Sequence, residues 1–177
     1  IAKATYDMSG VVFANKTVTY NGESHSILAT NLPNGVTVAY TGNAQTEAGE
    51  YTITATFTGD VNYNAIPSQT AKLVIEKATY DMSGVVFADQ TVTYTGSKFY
   101  LEATNLPDGV SVSYDNNGQT NAGTYTVAAN FTGNVNYNAI PSIEATLVIE
   151  KATYDMSGVV FDGKTVTYNS QVHSLQA

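Results

Sequence analysis

The chain contains no cysteine, and this absence excludes several kinds of chemistry. Without thiols there is no disulfide, no thiolate nucleophile and no cysteine-ligated metal site. Positive charge is also scarce, since the seven basic residues are all lysines against 15 acidic residues, for a formal net charge of −8. A protein that follows the phosphates of a nucleic acid needs a basic surface, so we expect no nucleic-acid partner.

Long apolar runs are missing as well. No stretch approaches the roughly 18 consecutive apolar residues that span a membrane, and Ile1–Ser9 has none of the features of a signal peptide. We therefore expect no membrane insertion, and we interpret the chain as an internal piece of a longer protein. Charged residues are only 12% of the chain. The surface is thus neutral and rich in hydroxyl groups, which is commoner in secreted β-proteins than in cytosolic enzymes.

What the sequence does contain is an internal repeat. Lys3–Phe13 recurs letter for letter as Lys77–Phe87 and as Lys151–Phe161, at a spacing of 74 residues (77 − 3 and 151 − 77). This period exceeds the roughly 20 to 45 residues of a solenoid unit, so we predict small separate domains with their own cores, like beads on a string. The predicted domains are 1–76 and 77–150, and residues 151–177 begin a third repeat.

Within a repeat the sequence predicts an all-β fold without helices. Short runs of β-branched and aromatic residues are separated by turn sequences such as Asn21-Gly22 and Pro33-Asn34-Gly35. The predicted strands of the first repeat are Val11–Phe13, Thr17–Tyr20, Ser24–Thr30, Val36–Tyr40, Glu50–Phe57 and Gln69–Glu76. Six or seven short, mostly antiparallel strands in about 74 residues are typical of a β-sandwich.

Alternation of apolar and polar residues assigns the inner face of each strand. In Tyr51–Phe57 every second residue is apolar and the residues between are threonines, so the apolar set should point inward. The predicted inward residues are Tyr51, Ile53, Ala55 and Phe57, together with Val18, Tyr20, Val36, Val38, Tyr40, Leu73 and Ile75.

Five motifs in a fixed order resemble the MBG or YDG-type immunoglobulin-like repeats, which occur in tandem in large bacterial cell-surface adhesins. The motifs are Lys3–Phe13, Thr17–Gly22, Leu32–Val36, Ala48–Thr52 and Asn62–Pro67. The resemblance covers the whole chain, and it departs from the family at Ser170, where a turn glycine is usual. It implies tandem Ig-like β-sandwich domains of a Gram-positive bacterium. It also implies an extracellular place on the cell surface or cell wall, beneath a distal adhesive or catalytic domain, and no catalytic residues.

Acidic residues that recur near the repeat junctions are candidate calcium ligands. They form two pairs, Glu76 with Asp81 and Glu150 with Asp155. Calcium usually takes several oxygen ligands from one short segment, and no Asp-x-Asp run occurs here, so solvated or turn-capping carboxylates are the favoured alternative.

Histidine offers little for metal binding. His25 and His173 share a repeat position with Phe99, which indicates an aromatic slot at the edge of the core. No second histidine accompanies either of them within a repeat, so we predict no metal site and no cofactor.

Tyr100 is the candidate ligand-binding residue. Most of the 13 tyrosines recur at the same position in both complete repeats, which indicates packing, but Tyr100 replaces Ser26 on the predicted outer face and has Glu102 nearby. An exposed aromatic ring suits a host glycan or mucin, although ordinary surface variation also explains it. The loops Asp60–Pro67 and Asn134–Pro141 would be the expected surface of such a module.

These features favour a structural spacer that holds a distal functional domain away from the cell wall. The alternative is a weak carbohydrate- or mucin-binding adhesin module that gains strength from repetition. An enzyme is not predicted, because no nucleophile with a base, metal cluster or phosphate loop is present. Residues 151–177 contain too few strands to bury a core, so we expect edge pairing or strand exchange with a neighbouring molecule.

Overall fold

The computed structural model describes all 177 residues, and its secondary structure is entirely β. Each complete repeat contributes four strands. They are β1 (Lys16–Thr19), β2 (Thr37–Thr41), β3 (Gly49–Thr58) and β4 (Gln69–Glu76), then β5 (Gln90–Thr93), β6 (Ser111–Asp115), β7 (Gly123–Thr132) and β8 (Ile143–Glu150). No helix long and apolar enough to cross a membrane is found.

Each repeat forms its own four-stranded sheet. The strand orders are β1-β4-β3-β2 and β5-β8-β7-β6, with the long strands β3 and β7 in inner positions. β3 pairs antiparallel with both neighbours, whereas β1 lies parallel to β4, with Lys16 opposite Leu73. The prediction of mostly antiparallel pairing is therefore confirmed, and the parallel edge strand is a feature that the turn sequences did not reveal.

Two of the six predicted strands are wrong. Val11–Phe13 and Ser24–Thr30 form no continuous ladder with a neighbouring strand. Their backbone pairing is limited to two isolated bridges, Val12 with Thr30 and His25 with Gln45. The remaining four predictions agree with β1 to β4 within one residue at each end. Tyr20, one residue beyond β1, continues the direction of that strand by donating its N–H to the Glu76 carbonyl at 2.8 Å.

Side chains take the place of the missing ladder. The Asn43 side-chain oxygen accepts from the Ile27 N–H at 2.9 Å, and the Asn43 amide nitrogen donates to the Ile27 carbonyl at 2.7 Å. Two residues on, the Tyr40 hydroxyl oxygen accepts from the Ala29 N–H at 2.7 Å. The segment therefore needs no neighbouring strand to satisfy these peptide groups. Ser24–Thr30 alternates between core and solvent as a strand does, but the backbone groups of Ile27 and Ala29 bond to side chains.

The second repeat uses the same device. Asn117 bonds both backbone groups of Leu101, at 2.9 and 2.8 Å, and the Tyr114 hydroxyl accepts from Ala103. Because the same two amide bonds form in both repeats, although neighbouring side chains differ, the contact is a general feature of this fold.

The two repeats have separate cores, as the period predicts. In the first, Ile53, Ala55 and Leu73 on β3 and β4 are completely buried, and Ile27 of the strand-poor layer packs against this group. The inward assignment of Ile53, Ala55, Phe57, Leu73 and Ile75 is confirmed. Each sheet is thus covered by a layer of extended segments, and together they form the predicted Ig-like β-sandwich.

Residues 151–177 have a different character. They contain no strand, and every one of them is exposed. Their only regular features are tight turns such as the one closed by the Val159 N–H and the Met156 carbonyl at 3.0 Å.

Removal of the Asn43 amide should destabilise the first repeat. In Asn43→Ala the Ile27 N–H and carbonyl lose both partners in a half-buried site, so we expect a loss of about 2–3 kcal/mol in the free energy of unfolding. Urea denaturation measures it, with Asn117→Ala giving a matching loss in the second repeat. Gln45→Ala is the control, because the Gln45 side chain makes a single exposed bond to the Gly42 carbonyl. Equal losses in Asn43→Ala and Gln45→Ala would contradict the role of the amide.

Candidate functional site at the repeat junction

Asn136 is the one polar residue of the chain that is buried, with 3% of its surface exposed. It lies in the turn that follows β7 in the second repeat. Asn134 fixes that turn: its side-chain oxygen accepts from the Asn136 N–H at 2.8 Å, and its carbonyl accepts from the Tyr137 N–H at 3.1 Å. The Asn136 side chain is therefore presented by a rigid loop.

The Asn136 side chain reaches into the first repeat. Its oxygen accepts from the Ala48 N–H at 2.8 Å, and its amide nitrogen donates to the Glu47 carboxylate. On its own side, the Asn136 carbonyl accepts from the Ala78 N–H at 3.0 Å. The Asn136 loop of the second repeat thus contacts both the loop before β3 and Ala78, which follows β4. The oxygen and the nitrogen of the buried Asn136 amide each have a hydrogen-bond partner.

An aromatic contact extends the same junction. The Tyr137 ring meets the Tyr20 ring of the first repeat edge-on, with centroids 5.7 Å apart and an interplanar angle of 72°. Its own face stacks on Tyr80 at 3.9 Å. Edge-to-face and offset-stacked rings are the favourable arrangements of aromatic pairs, so Tyr137 links both repeats through its edge and its face.

The equivalent residues elsewhere in the chain are not engaged in this way. In the first repeat Asn62 is exposed, and its amide nitrogen donates to its own Asp60 at 2.8 Å. At the far end of the second repeat, Tyr94 is 42% exposed. It lines a shallow cavity whose other residues are Asn121, Ala122, Lys151 and Ala152.

The four calcium candidates make two different kinds of contact: the two aspartates accept bonds from nearby serines, and the two glutamates bond through their backbone. Hydrogen bonds from the Ser83 hydroxyl and N–H lower the pKa of Asp81, whose Oδ1 lies 3.0 Å from the Ser83 nitrogen. Asp155 stands in the same turn with Ser157, which likewise lowers its pKa. Glu76 and Glu150 accept bonds from Tyr20 and Tyr94 through their backbone carbonyls. The structure brings no group of three or more His, Asp or Glu side chains together in a geometry that could hold a metal ion.

The histidine position differs between repeats in its contacts. His25 is half-buried, and its Nε2 lies 2.9 Å from the Asn21 side-chain oxygen. Phe99 packs against the core of the second repeat instead. His173 is exposed and contacts Asn169 in the same local way as His25 contacts Asn21. The predicted aromatic slot at the core edge is therefore present where Phe99 occupies it.

Tyr100 lies on the surface with 55% of its area exposed. Its ring rests on Gly118, where an added Cβ would stand 2.7 Å from a ring carbon and the backbone φ is +78°. The first repeat has Ser26 and Ala44 at these positions, and Ala44 has a φ of 63°. The tyrosine and the glycine therefore occur together for a steric reason. A shallow groove beside the ring is lined by Val86, Ala88, Asp89, Gln90, Leu101, Glu102 and Thr104.

The two predicted binding loops differ in their exposure to solvent. Asp60–Pro67 borders a shallow cavity at the end of the first repeat that lies away from the junction. In Asn134–Pro141, by contrast, Asn136 is turned into the junction and buried. That part of the loop is covered by the first repeat and is not the free surface that a binding module would present.

Sequence reasoning missed Asn136 and Glu47 as junction residues. The Asn-Tyr-Asn motif occurs at both 62–64 and 136–138, so the motif alone does not show which copy meets a neighbour. A usable signal lay in the differences between copies: Glu47 corresponds to Asn121, and Asp60 corresponds to Asn134. Glu47 makes a contact across the junction, and Asn134 fixes the loop that carries Asn136.

Comparison with known proteins places these features in a family. The family model of the MBG domain matches residues 9–79 and 83–153, two matches that start 74 residues apart (83 − 9). None of the curated proteins matches this chain in sequence.

Two solved structures are similar at low identity. The human desmocollin-1 ectodomain is 10% identical, with a TM-score of 0.32, over 91% of this chain and 44% of that one, so this chain spans less than half of it. The tandem Ig domains of titin are 15% identical, with a TM-score of 0.20, over 79% of this chain and 93% of that one.

The contact between Tyr100 and Gly118 should appear as a strong coupling between the two positions. We expect Gly118→Ala to destabilise the second repeat by about 1–3 kcal/mol, since the methyl group collides with the ring and φ stays positive. In a Tyr100→Ser background the same substitution should cost about 1 kcal/mol less, because the pair then resembles the first repeat. Chemical denaturation of the four chains of this double-mutant cycle measures the coupling. Additive losses would show that the ring does not need the glycine.

Proposed function

Because the chain belongs to the MBG domain family and carries two of its domains in tandem, we propose that it is a structural spacer. It forms a length of stalk in a large extracellular protein of the bacterial cell surface and holds a distal functional domain away from the cell wall. MBG and Ig-like domains are typically non-catalytic, and we propose no enzymatic activity for this chain.

The observation that carries this proposal is the Asn136 junction. A spacer keeps a distal domain at a distance only if successive domains resist folding back on each other. Here the buried amide has direct partners in Glu47 and Ala48. Bending the junction open would break these hydrogen bonds, and water would replace them only in part, so each bond opposes bending by about 0.5–1.5 kcal/mol.

The junction also supports repetition. One side, Glu47 and Ala48, lies in the loop before β3, and the other side, Asn136, lies in the loop after β7. These two loops stand at opposite ends of the long strand of a repeat, and each repeat has both, with Asn121 and Ala122 of the second repeat in the positions of Glu47 and Ala48. A unit with complementary ends is suited to a linear array, because adding a repeat lengthens the array without a new kind of contact.

Removal of the junction amide should loosen the array without unfolding the domains. We expect Asn136→Ala to broaden the distance distribution in small-angle X-ray scattering and to weaken the coupling between the repeats by about 1–3 kcal/mol in calorimetric unfolding. Asn62→Ala removes the same side chain from the same loop of the first repeat, where it is exposed, and should leave the scattering curve unchanged. The spacer proposal fails if Asn136→Ala and the unsubstituted chain give the same distribution of distances.

The second candidate function is a weak multivalent module for host glycan or mucin. It is favoured by one observation, the exposed Tyr100 ring that Gly118 accommodates beside Glu102. A glycan and mucin array probed with the chain and with Tyr100→Ser tests it. Binding that disappears in Tyr100→Ser would support this function over the spacer, and an array without signal would leave the spacer.

A further inference from the structure

The first and last strands of each repeat lie side by side and run in the same direction. In the first repeat β1 pairs in parallel with β4, so that residues 16–19 stand opposite residues 73–76. In the second repeat β5 pairs in parallel with β8 in the equivalent register, with residues 90–93 opposite residues 147–150. The parallel pairing of the terminal strands is therefore common to both repeats.

A side-chain hydrogen bond extends this pairing at the start of β1 and of β5. The Asn15 side-chain oxygen accepts from the Lys72 N–H at 2.8 Å, and the Asp89 carboxylate accepts from the Thr146 N–H at 2.7 Å. Beyond the end of β1, the Tyr20 N–H adds one more backbone bond. We call the two parallel strands of a repeat, together with these flanking bonds, its terminal clamp.

The chain enters and leaves a repeat at opposite ends of the terminal clamp. In the second repeat Ala78 is bridged to Tyr137, in the loop that leads into β8, whereas Lys151 directly follows the last residue of β8. Tension along the chain therefore pulls β5 towards one end of the sheet and β8 towards the other. Because the hydrogen bonds of a parallel ladder join the two strands side by side, this pull loads all of them at once, in shear.

The terminal clamp is the contact that must slip before a repeat can extend. β8 is paired on its other side with β7 over seven residue pairs, whereas β5 is an edge strand that is paired only with β8, over four. Tension should therefore move β5 along β8 and leave the pair of β7 and β8 in place. Val92 of β5 packs against the buried core, so this movement also drags an apolar side chain across its neighbours.

A second contact of the same kind precedes the clamp. The Ala78 N–H donates to the Asn136 carbonyl at 3.0 Å, and the Ala78 carbonyl accepts from the Asn138 N–H at 2.8 Å, in a bridge that is also parallel. Two residues further on, the Tyr80 ring stacks on Tyr137 with centroids 3.9 Å apart. The segment before β5 is thus fastened to the repeat, and tension reaches the terminal clamp only after these contacts yield.

We propose that each repeat is a load-bearing unit whose terminal clamp sets its resistance to tension along the chain. The bonds of the clamp yield together under this pull, whereas a pull that opened the same strands from one end would break the bonds one after another. Forced unfolding is governed by the rate of unfolding and not by the free energy of unfolding. The force at which a repeat unfolds should therefore depend on the clamp and on the direction of pulling.

Pulling one repeat in two directions tests the clamp without changing its bonds. The chain has no cysteine, so two introduced cysteines define where the handles attach. Lys77→Cys with Lys151→Cys places the handles at opposite ends of the clamp. Lys98→Cys with Lys151→Cys places them at the same end, because the Tyr94 N–H that follows β5 bonds to the Glu150 carbonyl at the end of β8. All three lysines are exposed.

In optical-tweezers measurements at one loading rate, we expect the Lys98 and Lys151 handles to unfold the repeat at a several-fold lower force than the Lys77 and Lys151 handles. The released length identifies each event. It is about 250 Å for the 74 residues from Lys77 to Lys151 (151 − 77) and about 180 Å for the 53 residues from Lys98 (151 − 98), at roughly 3.4 Å per residue and less the folded distance between the handles. Equal unfolding forces in the two directions would overturn the proposal.

Variants of the second repeat separate the clamp from overall stability. With handles at Lys77→Cys and Lys151→Cys, Asp89→Ala removes the partner of the Thr146 N–H and should lower the unfolding force. Asp89→Asn should lower it less, because Asn15 accepts the same bond in the first repeat. Asn117→Ala is the matched control. It removes two bonds of the covering layer, outside the clamp, so it should lower the free energy of unfolding in urea and leave the unfolding force nearly unchanged.

A force loss in Asn117→Ala as large as that in Asp89→Ala would show that the unfolding force follows overall stability, and it would contradict a role for the clamp. An unchanged force in Asp89→Ala would contradict it as well. The load-bearing property belongs to a single repeat and does not depend on the spacer role. The scattering of Asn136→Ala tests the junction between repeats, and the force measurements test contacts inside one repeat, so the two proposals can fail separately.

Discussion

The pairing of the Asn43 amide with the backbone of Ile27 holds the covering layer of the first repeat against its sheet. A four-stranded sheet has one apolar face, and here the chain covers that face with segments that have almost no ladder of their own. Such segments would leave half-buried peptide groups without partners, and an amide side chain offers a donor and an acceptor with the geometry of a peptide. Burial of Ile27, and with it closure of the core, depends on this pairing.

The junction between repeats uses the same chemistry over a longer range. Asn136 offers a donor and an acceptor, and it bonds the Ala48 backbone as Asn43 bonds Ile27. The difference lies in the second partner, which is the Glu47 carboxylate. A bond to a charged group is stronger than one between neutral groups, so the junction gains strength at the position where the copies differ. Within a domain the asparagine amide bonds only to neutral backbone groups, whereas the contact between domains also includes the Glu47 carboxylate.

The four sheet strands could be predicted because their alternation reflects burial on one face, as in Ile53 and Ala55 of β3. Ser24–Thr30 alternates for the same reason, yet the backbone groups of Ile27 and Ala29 bond to the Asn43 and Tyr40 side chains. Alternation contains no information about bonding partners. The parallel pairing of β1 with β4 depends on how distant segments meet, which turn sequences do not encode. Asn136 was missed because it is identical in sequence to the exposed Asn62, and only the position of a neighbouring repeat separates them.

The identity of Lys3–Phe13 and Lys77–Phe87 follows from their contacts. Tyr6 is confined by Gly59 and Tyr63, and Val12 is bonded to Thr30, so substitutions there disturb several partners. Positions on the outer face have no such constraint, and the change from Ser26 to Tyr100 required only a second change, from Ala44 to Gly118. Contact with several partners therefore keeps the sequence of the segment uniform, and exposure allows the outer face to vary.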